Sequence, residues 1–414
     1  MTAVNRTRHR AVAALVAGVC LAAVAVVSIP ASAAPIGSEC ARLHIFGVQG
    51  TGQSSPTADP STDSGVVGAL IAPVLAAAPG LVTRSYIPYS AGFGGAVPGG
   101  GAAPYTVSVA EARNRLDTAV TQLADTCPET AIAAVGYSQG AQAVSWFARD
   151  IGAGSGPVPA EQIAGIALYA NPDRTHSSPV LPGRPGQSSP DPAPGTSGEA
   201  VAGVQMSAPV APGSGIAERG TGYGTLTGRV ADFCAERDLA CSAPDRAALL
   251  RLGAEIAARA DLRDPLAAVN SLAALLSAAL GDAWTTVLLN DFHLTPGRVD
   301  YQPTVPLAQR LIDAADPRLP TPGPAEHTAA SARWNAITAT VATNPLNVVP
   351  ALVGQLGAAW GQLLADNAAL LDPAVWVRFA GTVAAHTDYA TGGLLVSGAA
   401  WMTALAHDLA GGSF

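Results

Sequence analysis

Five residues of the 414-residue chain, Gly136-Tyr137-Ser138-Gln139-Gly140, have the form G-x-S-x-G. That spacing suits a serine on a turn too tight for Cβ atoms beside it. The hydroxyl is lifted above a sheet, and the backbone N–H of Gln139, at a helix N-terminus, faces a developing oxyanion. The flanks fit this reading: Ala131 to Val135 is a short apolar run of strand length, and Ala141 to Asp150 reads as an Ala-rich helix. A serine hydroxyl becomes a useful nucleophile only beside a base, itself oriented by an acid, and in this strand-turn-helix setting the chain order is Ser, then Asp or Glu, then His. His44 lies inside the first strand, His176 in a proline-rich stretch, and His327 and His407 in or beside helices as surface residues. His293 and His386 remain as candidate bases.

Cysteine usage speaks to the compartment. Cys20 falls in an N-terminal apolar run from Ala11 to Ile29, preceded by Arg6, Arg8 and Arg10 and followed by Pro30 and Ala31-Ser32-Ala33. This is the pattern of a secretory signal cleaved after Ala33, the alternative being an uncleaved anchor. Cys40, Cys127, Cys234 and Cys241 remain, an even set for an oxidising compartment. Cys234 and Cys241 are near enough to close a small loop, which leaves Cys40 with Cys127. The pairs lack CxxC spacing and have no neighbouring His, which argues against zinc. After the signal, no run of eighteen apolar residues escapes interruption by Gly, Pro or charge, so the mature chain reads as soluble.

The elements that must position these groups follow from periodicity. Arg42 to Val48 is a core strand ending in the turn Gln49-Gly50-Thr51-Gly52. Val66 to Ala78 is a helix, Leu81 to Tyr86 a strand, Ala91 to Ala103 a glycine-rich loop, about Ser108 to Asp125 a helix, and Ile163 to Ala170 a strand. Strands alternating with helices indicate an α/β fold, a parallel sheet covered on both faces. Residues 174 to about 220 form a long Pro/Gly/Ser-rich connection with one strand near Val201 to Met206. From Pro244 to about Ala384 the chain is Ala/Leu-rich and reads as helices: Asp245–Ala260, Pro265–Leu280, Val305–Ala315, Ala329–Thr343 and Val348–Leu371. With 49% hydrophobic residues the chain can build a sizeable core. With 13% charged residues, no Lys and a net charge of −8, it has no basic cluster for a nucleic-acid partner.

Several of these motifs together resemble the cutinase family. Cys234-Ala235-Glu236-Arg237-Asp238-Leu239-Ala240-Cys241 has a C-x3-D-x2-C arrangement like the loop that carries the cutinase catalytic Asp. The elbow Gly-Tyr-Ser-Gln-Gly-Ala, Cys127-Pro128 before its strand, and the His-x-x-Tyr of His386-Thr387-Asp388-Tyr389 ahead of a last helix from about Leu394 to Leu409 are similar to that family too. The resemblance covers residues 40 to about 241 and again from about 385. It implies a cutinase-like α/β-hydrolase domain (34–243 and 385–414) hydrolysing carboxylic esters through an acyl-enzyme. Ser138 would be nucleophile, Asp238 acid and His386 base, with His293 the runner-up, and Thr51 would join Gln139 as oxyanion donor. No cofactor or metal is called for. Two features depart from the family pattern: Gln49 stands where Arg is frequent, and residues 244–384 separate acid from base. This helical insertion resembles the lids of lipases and the helical insert of mycobacteriophage lysin esterases, and its apolar faces favour lipid-like acyl chains and peripheral contact with lipid surfaces or the cell envelope. An acyltransferase on envelope lipids and a non-catalytic surface binding protein on the same scaffold are the rival readings. The sequence leaves the oligomeric state open.

Overall fold

The structure is a computed structural model and describes residues 40–412; the expected signal segment, 1–33, lies outside the described residues. Five parallel strands form the central sheet: β1 (Leu43–Val48), β2 (Val82–Tyr86), β3 (Ala131–Tyr137), β4 (Ile163–Tyr169) and β5 (Val230–Phe233), in the order β2-β1-β3-β4-β5. Every residue of β1 and β4 is buried, as a parallel strand covered on both faces requires. Period-two alternation then assigns side chains to two cores. Leu43, Ile45, Ala133 and Val135 face α1 (Gly65–Ala77) and the C-terminal helix, residues 395–411; Phe46, Val48, Ile132 and Ala134 face α2 (Tyr105–Thr126) and α3 (Gln139–Gly152). Disulfides join Cys40 to Cys127 and Cys234 to Cys241. By the chain-entropy relation, closing the longer loop stabilises the fold by roughly 4–5 kcal/mol and the shorter by roughly 2–3 kcal/mol.

Several expectations are corrected. In place of the strand expected near Val201 to Met206 the chain makes a single turn, α4 (Glu199–Ala202), and then runs on without regular structure. Asp408 supplies the reason, since its carboxylate accepts the Ala200 and Val201 N–H groups at 2.8 and 3.0 Å, an N-terminal cap from a distant helix. β5 was not expected at all: it is four residues long, and Asp232 interrupts its apolar character. Beyond it α5 (Ala248–Arg259) is followed by α6 (Pro265–Asn290), ten residues longer than its periodicity indicated. Gly281 costs α6 only about 1 kcal/mol, too little to stop it. A hairpin, β6 (Phe292–Thr295) with β7 (Arg298–Tyr301), was also missed.

The chain continues through α7 (Leu307–Ala315), α8 (Pro324–Thr343) and α9 (Pro345–Ala365), then short turns α10 (Pro373–Phe379) and α11 (Thr382–Thr387), to α12 (Leu395–Gly411). The helix expected over Val348–Leu371 thus starts earlier and stops at Ala365. There Asp366 and Asn367 turn back to accept the Ala248 and Leu249 N–H groups at the start of α5. The segment between β5 and α12 builds two small apolar clusters of its own.

His44 is buried in β1, its Nδ1 2.9 Å from Thr83 Oγ1. Burial, helped by nearby Arg84, lowers its pKa from 6.5 to about 4. The unfolded chain therefore takes up this proton more readily: the stability is present above pH 6.5 and is lost as the pH falls through about 4. Buried Asp232, raised to about 6 by desolvation, works in the opposite sense over much of the same window, so the test is a difference. Between pH 7 and 4, wild type should lose about 3 kcal/mol more than His44→Gln in chemical denaturation. Parallel stability curves would exclude this contribution.

Candidate active site

Ser138 sits between β3 and α3 with φ 55° and ψ −120°, a strained conformation for a residue with a side chain. Its N–H donates to the Tyr169 carbonyl at 2.8 Å, which ties the turn to β4. The flanking glycines are there for want of space: a Cβ on Gly140 would sit 2.1 Å from the Val48 carbonyl oxygen, and one on Gly136 would sit 2.6 Å from the Ala141 Cα. The turn thus brings α3 hard against the end of β1 and leaves the serine as the only side chain at its apex.

Two residues from far along the chain meet this hydroxyl. His386, on α11, places Nε2 2.8 Å from Ser138 Oγ. Its Nδ1 is 2.9 Å from both oxygens of Asp238, whose carboxylate is fully buried. Asp238 also accepts the Ala240 N–H at 3.0 Å and the Tyr389 hydroxyl at 2.9 Å. The Cys234–Cys241 bridge closes the loop around it, the Leu239 N–H donates to Thr382 Oγ1 at 2.8 Å, and the buried Arg174 guanidinium donates to the Cys241 carbonyl at 3.0 Å. On the other side the Tyr137 hydroxyl, its pKa pushed up by burial, donates to the His386 carbonyl. The imidazole is held from its backbone and from Nδ1, which leaves Nε2 directed at the serine.

The other histidines lie elsewhere. His293 is exposed on β6, opposite Asp300 of β7. His176 pairs with Asp245 at 2.8 Å on the surface, His327 with Thr285 at 2.8 Å, and His407 is exposed on α12. Among the described residues, the imidazole bonded to Ser138 is that of His386.

Gln139 begins α3, where its backbone N–H has no intrahelical acceptor. Its fully buried side chain is committed, donating to the carbonyls of Gly92 at 3.0 Å and Tyr105 at 3.3 Å, which leaves its backbone N–H as the group without a partner in the helix. Thr51 lies on the wall of a cavity that also takes in Ser138, between Gly50, whose carbonyl accepts the Gln53 N–H at 3.0 Å, and Gly52, which donates to Ala91 at 2.9 Å. Gln49 anchors this loop although it departs from the family's Arg. Its side chain accepts the Val67 N–H at 3.3 Å and donates to the Ser64 carbonyl, and its own carbonyl accepts the Tyr89 hydroxyl at 2.6 Å.

A cavity of about 1150 Å³ opens over Ser138 and His386. Thr51, Phe93 and Tyr105 line one side, and Ala254, Ala258 and Pro317, from the helical segment, line the other. Its wall is mainly apolar. The ion pair of Arg318 with Glu255, 3.3 Å apart, lies in it, with the guanidinium over the Trp146 ring.

Sequence reasoning missed the parts of Tyr389, Arg174 and Gln49. For Tyr389 a signal existed in its three-residue spacing from His386; Arg174 and Gln49 offer none, because their partners are distant in sequence. Tyr389 also accepts the Ala235 N–H at 2.9 Å, so Tyr389→Phe leaves one buried donor and one carboxylate lone pair unsatisfied. The substitution should cost about 2 kcal/mol in thermal or denaturant unfolding and slow the site through a looser Asp238. Wild-type stability in the variant would show that these bonds contribute nothing.

A parallel sheet flanked by helices, with a serine at the strand-turn-helix apex and an Asp and a His from later segments of the chain, defines an α/β-hydrolase fold. Residues 39–249 match the Cutinase family model, and the chain belongs to the cutinase family. It is 33% identical over 127 residues to the "Carboxylesterase Culp6 homolog" of Corynebacterium glutamicum, a match that spans 28% of this chain and 37% of that relative's length. Among solved structures, an iodinated complex of acetyl xylan esterase is similar over 56% of this chain and all of its own (22% identity, TM-score 0.35). A cutinase-like protein from Cryptococcus sp. is similar over 50% of this chain and 81% of its own (20% identity, TM-score 0.31).

Proposed function

We propose that the protein is a secreted serine carboxylic-ester hydrolase that acts on lipid-like acyl esters. The observation carrying this reading is the unbroken hydrogen-bonded series Ser138 Oγ, His386 Nε2, His386 Nδ1, Asp238, assembled from residues up to 248 positions apart. As Ser138 Oγ attacks the ester carbonyl carbon, His386 Nε2 takes the hydroxyl proton and Asp238 steadies the imidazolium. The carbonyl oxygen becomes an oxyanion that the backbone N–H groups of Gln139 and Thr51 stabilise. The tetrahedral centre collapses, the C–O bond to the alcohol breaks, and His386 hands its proton to that alcohol. Water then repeats the sequence on the acyl-enzyme, releasing the carboxylic acid and restoring Ser138.

The name of the Corynebacterium relative, a carboxylesterase, supports the reaction class, and the large, mainly apolar cavity supports long acyl chains over small soluble esters. Two disulfides support export. Residues 244–384 act as a cover over the site, since part of that segment forms the cavity wall. Steady-state hydrolysis of p-nitrophenyl esters from acetate to palmitate, with and without glycerol as acceptor, tests the proposal. Hydrolysis that prefers the longer chains and survives glycerol supports it. No hydrolysis of any ester, or release of acyl glycerol in place of free acid, refutes it.

A further inference from the structure

Two helices of the segment between β5 and α12 have the composition of membrane spans. Windows of α6 and α9 reach mean hydropathies of 1.6 and 1.4, yet only 28% and 6% of those windows are buried. Such helices are ordinarily buried in a protein core or in lipid, and so little burial excludes the core. α9 carries no charged residue and α6 only Asp282, whose carboxylate is 3.5 Å from His327. Leu266 and Val269 of α6 and Leu346, Val353 and Trp360 of α9 are 60–88% exposed.

Between these helices and α8 lies a second cavity, of about 750 Å³, with a lining distinct from that of the cavity over Ser138. Leu280, Trp284, Trp334, Ile337 and Leu352 line it without a charged group, and Trp360 and Leu356 extend the lining onto the exposed face of α9. Three of the chain's six tryptophans therefore gather here, each 42–60% exposed, and the Trp284 and Trp334 rings meet edge to face at 5.4 Å. Half-exposed indoles around an apolar patch are the arrangement found at the boundary between lipid and water.

We infer that this face docks on the acyl chains of a net-neutral lipid surface and that the second cavity admits one such chain. Charge complementarity selects a neutral surface: α6 and α9 carry no basic residue, Arg333 of α8 donates to the Phe292 carbonyl, and a protein of net charge −8 is repelled by anionic headgroups. A volume within the range of small-molecule sites, walled almost wholly by apolar surface, suits an alkyl tail better than a polar ligand. The inference deepens the proposed ester hydrolysis by stating where its substrate resides.

The test uses the full chain carrying Ser138→Ala, so that the lipid is not consumed. Phosphatidylcholine vesicles with brominated acyl chains are titrated while tryptophan fluorescence and co-flotation are read. Strong quenching and flotation are expected, both weakened at least about tenfold by Trp360→Arg combined with Leu356→Arg at unchanged Tm. Should that pair lower the Tm, Val353→Glu on the exposed face of α9 must weaken binding instead. Absence of quenching, binding only to vesicles containing anionic lipid, or self-association without lipid that replaces vesicle binding would each overturn the inference. Vesicle binding is independent of Ser138 reactivity, so an unreactive serine with intact docking would defeat only the proposed hydrolysis, and the converse only the docking.

Discussion

His386→Ala is expected to lower kcat/KM for ester hydrolysis by about 10⁴- to 10⁶-fold, the scale seen when the base of a serine triad is removed. The geometry leaves no substitute: Nε2 of this ring is 2.8 Å from Ser138 Oγ, and the remaining described histidines are committed or exposed elsewhere. His293→Ala, at an exposed hairpin position, should change the rate by less than about twofold, because surface substitutions away from the site barely perturb it. Steady-state rates on a soluble p-nitrophenyl ester, with added imidazole as a rescue arm for His386→Ala, measure both. Equal losses in the two variants, or loss only in His293→Ala, would transfer the base to the hairpin.

Asp238→Asn should cost about 10⁴-fold in kcat while leaving the fold in place. An Asn oxygen at the Oδ1 position can still accept the Ala240 N–H, the amide nitrogen at the Oδ2 position can donate to the Tyr389 hydroxyl oxygen, and the disulfide still closes the loop, so the backbone has no reason to move. The imidazole loses its acceptor at Nδ1. An amide nitrogen facing Nδ1 favours the tautomer with the proton on Nε2, which cannot take one from Ser138. A Tm close to that of wild type with kcat collapsed is the expected pair of results. Near-wild-type turnover would mean that Asp238 only holds the loop.

The parts of the site legible in the sequence are those whose geometry is local. Ser138 could be read because five consecutive residues contain their own turn, and the 2.1 and 2.6 Å approaches at Gly140 and Gly136 explain why glycine occupies both places. Asp238 could be read through the resemblance to cutinases, because two cysteines seven residues apart reproduce that family's acid-bearing loop. The Arg174 guanidinium, which draws the carbonyls of Gly213 and Cys241 together, left no mark in the sequence, since its partners are 39 and 67 residues away. For the same reason Gln49 did not read as an anchor for the Thr51 loop.

In the fold, long apolar runs such as β1 and β4 were plain. β5 escaped because four residues containing a buried Asp232 match no simple period. The stretch near Val201 read as a strand from its β-branched residues. It is a helical turn because the Asp408 carboxylate, some 200 residues later, caps it. There a long-range polar partner outweighed local propensity.

The most direct test of the central claim is covalent labelling of the intact protein with a fluorophosphonate, followed by peptide mapping. One phosphonyl adduct per chain is expected, on the peptide containing Ser138, formed with loss of fluoride and abolished in Ser138→Ala. An adduct on another residue accompanied by loss of hydrolysis, or full hydrolytic activity in Ser138→Ala, would contradict it.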